Sequence, residues 1–372
     1  YHALHMSVIQ LLKANMGLIS QTISDSHSLQ RADSSDGMPN VEASWHIAIE
    51  DLELCDCLGS GNYGQVYSGF YLGTDVAIKR MDVEEMGKDN MAKYIKRELA
   101  CSKYSHPNIV GFIGVAEEED KKHILLVTEK LQCSLREILK TENGGTLSWP
   151  LRLSFANDTA KSLAFLHAKG IIHRDVKSKN LLVDENMKVK ICDFGFARTA
   201  SATKRPMTLC GTEEWMAPEV IMGEPYNLAA DVFSFGIVLL EIITTKKVKT
   251  DFPRFPQNFF VLDKEEARKL KPAGCPNELM ELALRCCADE ADDRPSFRDI
   301  IRSLNQIRGD LQLGPLQSSE KQNRVTPKVK HRSQSLDPQP STPTTSRSSS
   351  NVSMTASGRP IVLRCSFAEL NE

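Results

Sequence analysis

The sequence predicts an α+β fold, a small β-rich lobe followed by a larger helical lobe, across residues 45 to 308. Strand-favouring side chains surround glycine-rich turns over residues 52 to 79, whereas beyond Ser134 the apolar residues recur at helical spacing. From about Gly314 the chain turns rich in Ser, Thr, Pro, Lys and Arg, with no core-forming run.

A first strand leads into Gly59-Ser60-Gly61, and Val66 and Tyr67 favour a second. Gly73 turns the chain into a third, Val76-Ala77-Ile78-Lys79. Helical periodicity over about residues 91 to 103 comes next, then a strand-like run from Ile124 to Thr128. Helices follow over Trp149 to Ala168, Ala229 to Thr244 and Asn277 to Cys287. The lobes divide at about residues 45 to 131 and 132 to 308. Residues 1 to 44 form an N-terminal extension, partly flexible, whose Ile9, Leu11, Leu12, Met16, Leu18 and Ile19 suit a short helix. Residues 309 to 372 form a Ser/Thr/Pro-rich tail expected to be disordered. The chain opens on Tyr1 rather than Met, as a fragment or a processed protein does.

Composition narrows the function. With 46 Lys and Arg against 48 Asp and Glu among 372 residues, there is no basic excess of the kind a nucleic-acid binder needs. No apolar run approaches the roughly 18 residues of a membrane span, so no integral membrane segment is expected. The richest run, Phe233 to Ile243, is broken by Ser234, Gly236 and Glu241. The ten cysteines show neither CxxC pairs nor zinc spacing, which suits reduced thiols in the cytoplasm.

Chemistry begins at Gly59-Ser60-Gly61-Asn62-Tyr63-Gly64-Gln65-Val66, a GxGxxGxV pattern. Glycines let backbone amides approach phosphate oxygens with no Cβ in the way. A dinucleotide-binding loop would lead directly into a helix, but here Gln65 to Phe70 reads as a strand. Lys79, on the next strand, can then hold two phosphates as a point charge; a plain β-hairpin with a surface lysine is the competing reading. His173-Arg174-Asp175-Val176-Lys177-Ser178-Lys179-Asn180 follows the apolar pair Ile171-Ile172. Asp193-Phe194-Gly195 comes after a strand-like run, and Ala217-Pro218-Glu219 lies about 24 residues beyond it. Five fixed positions in that octet would match by chance in roughly one in ten thousand chains of this length.

These motifs, in this order, resemble the eukaryotic protein kinase family throughout residues 45 to 308. The resemblance implies a two-lobed fold and an ATP- and Mg²⁺-dependent transfer of the γ-phosphate to protein Ser or Thr hydroxyls in intracellular signalling. It implies that Asp193 and Asn180 hold Mg²⁺, and that Lys79 grips the α- and β-phosphates, steadied by Glu98. Asp175 would accept the substrate proton, and Lys177 would offset charge on the transferring group. Thr212 would hydrogen-bond Asp175 and Lys177. Gly59, Ser60, Gly61, Asn62, Tyr63 and Gly64 would cover the phosphates. Val66, Ala77 and Leu182 would sandwich the adenine beside Thr128, with backbone groups of Glu129 and Leu131 on its edge. Asp231 would anchor the catalytic-loop backbone, Arg294 would pair with Glu219, and His173 reads as a hydrogen-bonding core residue. Cys192, before Asp193, is either a reactive thiol or an inert buried one.

Lys177 and Thr212 resemble the Ser/Thr-specific pattern; a dual-specificity enzyme and a nucleotide-binding pseudokinase scaffold are the alternatives. Trp45, Ile47, the Gly211-to-Glu219 stretch and Arg294-Pro295-Ser296-Phe297 resemble the tyrosine-kinase-like group, with a fainter likeness to LIM and testis-specific kinases, which lack Lys at the position of Lys177. Thr208 stands where an upstream kinase would add an activating phosphate received by Arg174. One departure is visible. His106 arrives about one residue early after Glu98, and Ser102 occupies a position where the family has an apolar residue packing on Phe194. A shorter helix, packing by Cys101, and a Glu98 swung outward are the options.

Overall fold

Period-two alternation builds the first lobe. In the computed structural model, which describes residues 45–61, 64–141, 147–200 and 211–311, β1 (Leu52–Gly61), β2 (Gly64–Tyr71), β3 (Thr74–Asp82), β4 (Phe112–Glu117) and β5 (His123–Glu129) form an antiparallel sheet in the order β1-β2-β3-β5-β4. Val76, Ile78, Leu125 and Val127 point to one face, where they pack with Ile47, Leu52 and Ala116. Met81, Ile124 and Leu126 point to the other and meet Met91, Tyr94 and Ile95 of helix α1 (Lys88–Ser102). Alternation is what places chemistry on that second face, because successive side chains leave a strand on opposite sides. Lys79 lies opposite Val66 on β2 and Leu126 on β5, and Ala77 lies opposite Thr128. Lys79, Val66, Ala77 and Thr128 therefore share one face, and each is only partly buried. Gly64 is required by space and by backbone: its φ is +135°, and a Cβ there would lie 2.0 Å from the Arg80 carbonyl oxygen.

The second lobe is built around a helix that water hardly touches. After β6 (Cys133–Ser134), α2 (Leu135–Thr141) and α3 (Trp149–Ala168), the chain forms β7 (Ile171–Ile172), β8 (Leu181–Val183), β9 (Val189–Ile191) and β10 (Arg198–Thr199). Strands β6, β8 and β9 make a small sheet, and β10 pairs with β7. Helix α4 (Ala229–Thr244) is buried along its whole length after Ala229, which explains an almost continuous apolar sequence with no amphipathic stripe. Around it pack α3, α5 (Asn277–Cys286) and α6 (Phe297–Asp310), the last started by Ser296, whose Oγ accepts the Asp299 amide. Phe194, Phe233, Phe235 and Phe297 lie in one cluster with Cys101 and Ile109.

The expected α+β fold, with an antiparallel first lobe and a helical second lobe, is the fold observed. Segment 1–44, Asn62, Tyr63, Thr208 and the tail beyond residue 311 lie outside the described residues.

Arg294 locks the second lobe. Its Nη1 and Nη2 grip Glu219 at 2.6 and 2.9 Å, while Nε donates to the Ala288 carbonyl and the Nη groups reach Ala229 and Asp289. Removing one partner of such a buried pair strands the other. Arg294→Ala is therefore expected to lower the unfolding free energy by ~3–5 kcal/mol. Urea denaturation checks this; a loss below about 1 kcal/mol, the level of a surface pair, would contradict it.

Candidate active site

The segment from His173 to Asn180 links β7 to β8, and buried hydrogen bonds fix its shape. Asp231, at the start of α4, accepts the His173 amide at 2.8 Å through Oδ2 and the Arg174 amide at 2.9 Å through Oδ1. His167 Nε2 adds a contact to Oδ2 at 2.9 Å. Burial alone would raise this carboxyl, but the His167 hydrogen bond, the neighbouring imidazoles and the Arg174 amide hold it below the usual range. Arg174 adopts a left-handed φ of 71°, uncommon for a residue with a side chain. Its Nε donates to the Phe196 carbonyl at 2.6 Å and its Nη1 to Tyr226 Oη at 3.1 Å. His173 is fully buried: Nδ1 accepts the Asp175 amide, so Nε2 is left to donate to the Cys192 carbonyl at 3.1 Å, with the ring edge-on to Phe194.

Asp175 emerges from this frame inside a closed set of polar contacts. Lys177 Nζ donates to Asp175 Oδ2 and to Thr212 Oγ1, both at 2.7 Å, and Thr212 Oγ1 donates to Asp175 Oδ1 at 2.9 Å. Asn180 Nδ2 donates to Asp175 Oδ2 and to its carbonyl, each at 2.9 Å. This fixes the Asn180 amide and turns its oxygen away from Asp175. A carboxylate so held can take a proton from a hydroxyl delivered to it, with an ammonium beside it to balance anionic charge.

A second group forms where the two lobes meet. Lys79 Nζ lies 3.0 Å from Asp193 Oδ2 and 2.6 Å from Tyr94 Oη, and Tyr94 Oη lies 2.6 Å from Asp193 Oδ1. Burial would lower the Lys79 ammonium, but Asp193 and Glu98 leave it raised. Burial would raise Asp193, yet Lys79 and the Tyr94 hydroxyl hold it well down. Glu98, the expected partner of Lys79, acts on it through charge without an ion-pair contact among the described residues. Glu98 is buried, not swung outward, and among the described residues the ion pair of Lys79 is to Asp193. The Phe194 and Gly195 amides face the Glu98 carboxyl instead, and burial plus the charge of Asp193 push it up. Of the three options for the helix end, packing by Cys101 is the one observed: α1 reaches Ser102, Cys101 is buried in the cluster with Phe194, and Ser102 Oγ bonds back to the Leu99 carbonyl.

The glycine-bearing β1–β2 hairpin lies on the edge of the sheet beside β3, with Gly59, Ser60 and Gly61 on β1. Leu182 sits on β8, partly exposed like Val66, Ala77 and Thr128. Glu129 uses its side chain within the fold, accepting the Gly111 amide and Lys190 Nζ. The Cys192 thiol is partly buried near the Asn180 carbonyl, and burial pushes its pKa up, so the inert reading of that residue fits the geometry. Glu219 and Arg294 lie on the far side of Ala217-Pro218, as the ion pair described above.

Sequence reasoning missed Tyr94, although it lies one turn before Glu98 on the same helix face, a spacing that would have found it. It also missed Glu241. On α4 this carboxyl accepts Arg136 Nη1 at 3.1 Å and Ser178 Oγ at 2.9 Å through Oε1, and Trp215 Nε1 at 2.8 Å through Oε2. It thus joins the catalytic-loop candidate, through the neighbour of Lys177, to the segment that carries Thr212.

Residues 52–304 match the family model described as protein tyrosine and serine/threonine kinase. The chain is also similar to three proteins of Dictyostelium discoideum. A RasGEF domain-containing serine/threonine-protein kinase X is 41% identical over 287 residues, 76% of this chain and 29% of that protein. A probable serine/threonine-protein kinase kinX is 39% identical over 74% of this chain and 25% of its own length. A probable serine/threonine-protein kinase kinY is 40% identical over 73% and 50%. The chain thus spans between a quarter and a half of the length of these relatives.

Burial raises the Glu241 carboxyl to about 7, against the donors around it. The folded state therefore holds a proton that the unfolded chain releases near 4.5. Its stabilising contribution is full below pH about 4.5 and is lost as pH rises through about 7. Glu241→Gln is expected to flatten the fall in stability between those values. Urea midpoints measured at both ends of the window test this, and an unchanged slope in the variant would contradict it.

Proposed function

This chain belongs to the protein tyrosine and serine/threonine kinase family, and from that premise we propose that it transfers the γ-phosphate of ATP to serine or threonine hydroxyls of protein substrates. The observation that carries this reading is the closed contact set of Asp175, Lys177, Thr212 and Asn180. Asp175 takes the proton of the acceptor hydroxyl as its oxygen attacks phosphorus in line. Lys177 stays beside the carboxylate and balances charge on the phosphoryl oxygens, and Thr212 keeps both in register. Lys79 holds the α- and β-phosphates. Val66, Ala77, Thr128 and Leu182 offer the adenine a partly open apolar slot, with the Glu129 and Leu131 backbone at its edge and Gly59 to Gly64 over the phosphates.

The donor set fits a hard cation. Asp193 offers carboxylate oxygens, and the amide oxygen of Asn180 has no hydrogen-bond donor among the described residues. These two residues would hold Mg²⁺, which when bound supplies charge neutralisation and alignment at the phosphate oxygens.

Lys177 bonded to Thr212 supports Ser/Thr over Tyr acceptors, as does the naming of the relatives as serine/threonine-protein kinases. Trp45, edge-on to Phe112 at 5.2 Å, with Trp215 and Arg294, supports membership of the tyrosine-kinase-like group. The described cysteines stand as thiols, which supports a cytoplasmic setting. We assign residues 45–308 as the catalytic unit, with 1–44 and 309–372 as flanking segments, and Thr208 as the target of an upstream kinase.

The test is transfer from [γ-³²P]ATP with Mg²⁺ to a generic basic protein. Wild type is expected to label Ser and Thr, and Asp175→Ala to cut the rate by about 10²–10⁴-fold, the value of a positioned general base. Equal labelling by the variant, or ATP binding without transfer by wild type, would overturn the assignment.

A further inference from the structure

Tyr94 and Glu98 lie one helical turn apart on the same face of α1, both buried, and both look toward the lobe junction. Their partners differ. Glu98 feels the charge of Lys79 and faces the Phe194 and Gly195 amides, but among the described residues it makes no ion-pair contact. Tyr94 Oη accepts from Lys79 Nζ and donates to Asp193 Oδ1, each at 2.6 Å, while Lys79 Nζ reaches Asp193 Oδ2 at 3.0 Å. The three side chains form a closed ring of hydrogen bonds. An ammonium can only donate and a carboxylate only accept, so the hydroxyl between them accepts from Lys79 and donates to Asp193.

The tyrosine ring is seated as firmly as its hydroxyl. It lies over Gly195, where a Cβ would meet Cε2 of the ring at 1.7 Å. Phe196 packs edge-on at 6.2 Å, and Lys79 Nζ is 4.9 Å from the ring centroid. Any side chain at residue 195 would expel the ring, so the small residue after Phe194 makes room for Tyr94.

We propose that Tyr94, rather than Glu98, is the helix positioning residue for the ammonium of Lys79 and the carboxylate of Asp193. The proposal rests on the phosphoryl-transfer reading and departs from the expected Glu98 pairing. A phenol suits the task because it both accepts and donates. It fixes the spacing of an ammonium and a carboxylate and adds no charge of its own. When polyphosphate draws Lys79 away from Asp193, no second buried anion is left without its cation. Glu98 is then free to hold the backbone of residues 194 and 195.

The test compares Tyr94→Phe with Glu98→Gln in the full chain. Tyr94→Phe keeps the ring on Gly195 and deletes only the hydroxyl; Glu98→Gln keeps shape and removes charge. The readouts are the Kd for the fluorescent analogue mant-ATP with Mg²⁺, the KM for ATP, kcat and the melting temperature. Tyr94→Phe is expected to raise Kd and KM about tenfold, the value of one charge-assisted hydrogen bond, with a smaller change in kcat and an unchanged melting temperature. Glu98→Gln is expected to weaken nucleotide binding less. The reverse order of losses would overturn the proposal. So would a Tyr94→Phe variant whose nucleotide loss only tracks a fall in melting temperature, which would mean packing alone. If wild type binds mant-ATP but transfers no phosphate, the catalytic assignment fails while the Kd comparison still decides the role of Tyr94.

Discussion

The geometry of the site hangs on one buried carboxylate. Asp231 is almost wholly excluded from water, yet it accepts two consecutive amides, those of His173 and Arg174, and a contact from His167. Consecutive amides can converge on one carboxylate only if the backbone bends sharply, and Arg174 at φ 71° is where it bends. Without the acceptor, two donors would sit unsatisfied in the core, each costing about 1–3 kcal/mol. The acceptor is rigid in turn because α4 is enclosed on all sides after its first residue. The same helix sends Ser234 Oγ to the Trp215 carbonyl and Glu241 to Ser178 and Trp215. One buried element therefore aligns the loop carrying Asp175 and Lys177 with the segment carrying Thr212.

At the lobe junction two acids share a low-dielectric volume that admits one anion cheaply. Lys79 and Tyr94 decide which. Asp193 bonds both and is held ionised; Glu98 bonds neither among the described residues, and burial together with the charge of Asp193 outweighs the pull of Lys79 and raises it. The acid whose task requires charge is the one given the cation. The other contributes as a hydrogen-bonding group, on the backbone of residues 194 and 195, where charge is not required.

Much of this was legible in the sequence. Alternation placed Val76 and Ile78 on one face and Lys79 on the other, and the apolar run from Phe233 to Ile243, broken by Ser234, Gly236 and Glu241, fell within the buried helix. Asp175, Lys177, Asn180, Asp193 and Thr212 stood at spacings that their contacts now explain. The partnership of Lys79 was not legible, because it depends on the rotation of α1 about its axis. One residue changes that rotation by about 100°, and the spacing from Glu98 to His106 left three options open for the helix end. Glu241 was hidden for a different reason. An acid inside an apolar run reads as an interruption until Ser178, Arg136 and Trp215, distant in sequence, are seen to converge on it.

The packing of Cys101 at the helix end and the seating of the tyrosine are linked through the same rotation. Cys101, not Ser102, meets the apolar cluster around Phe194, so the helix face turned toward the second lobe runs through Cys101, Glu98 and Tyr94, at spacings of three and four residues. A side chain on that face at residue 94 must cross the segment that begins at Asp193, and only a glycine at 195 lets an aromatic ring do so. Bulk at 94, its absence at 195, and a small thiol in place of a larger apolar side chain at the helix end are three parts of one packing solution. Arg97 ties it down by donating to the Gly195 carbonyl at 2.9 Å, so the helix grips both sides of the residue on which the ring rests. The position of Lys79 thus follows from how α1 is seated, and not from the strand that carries it alone.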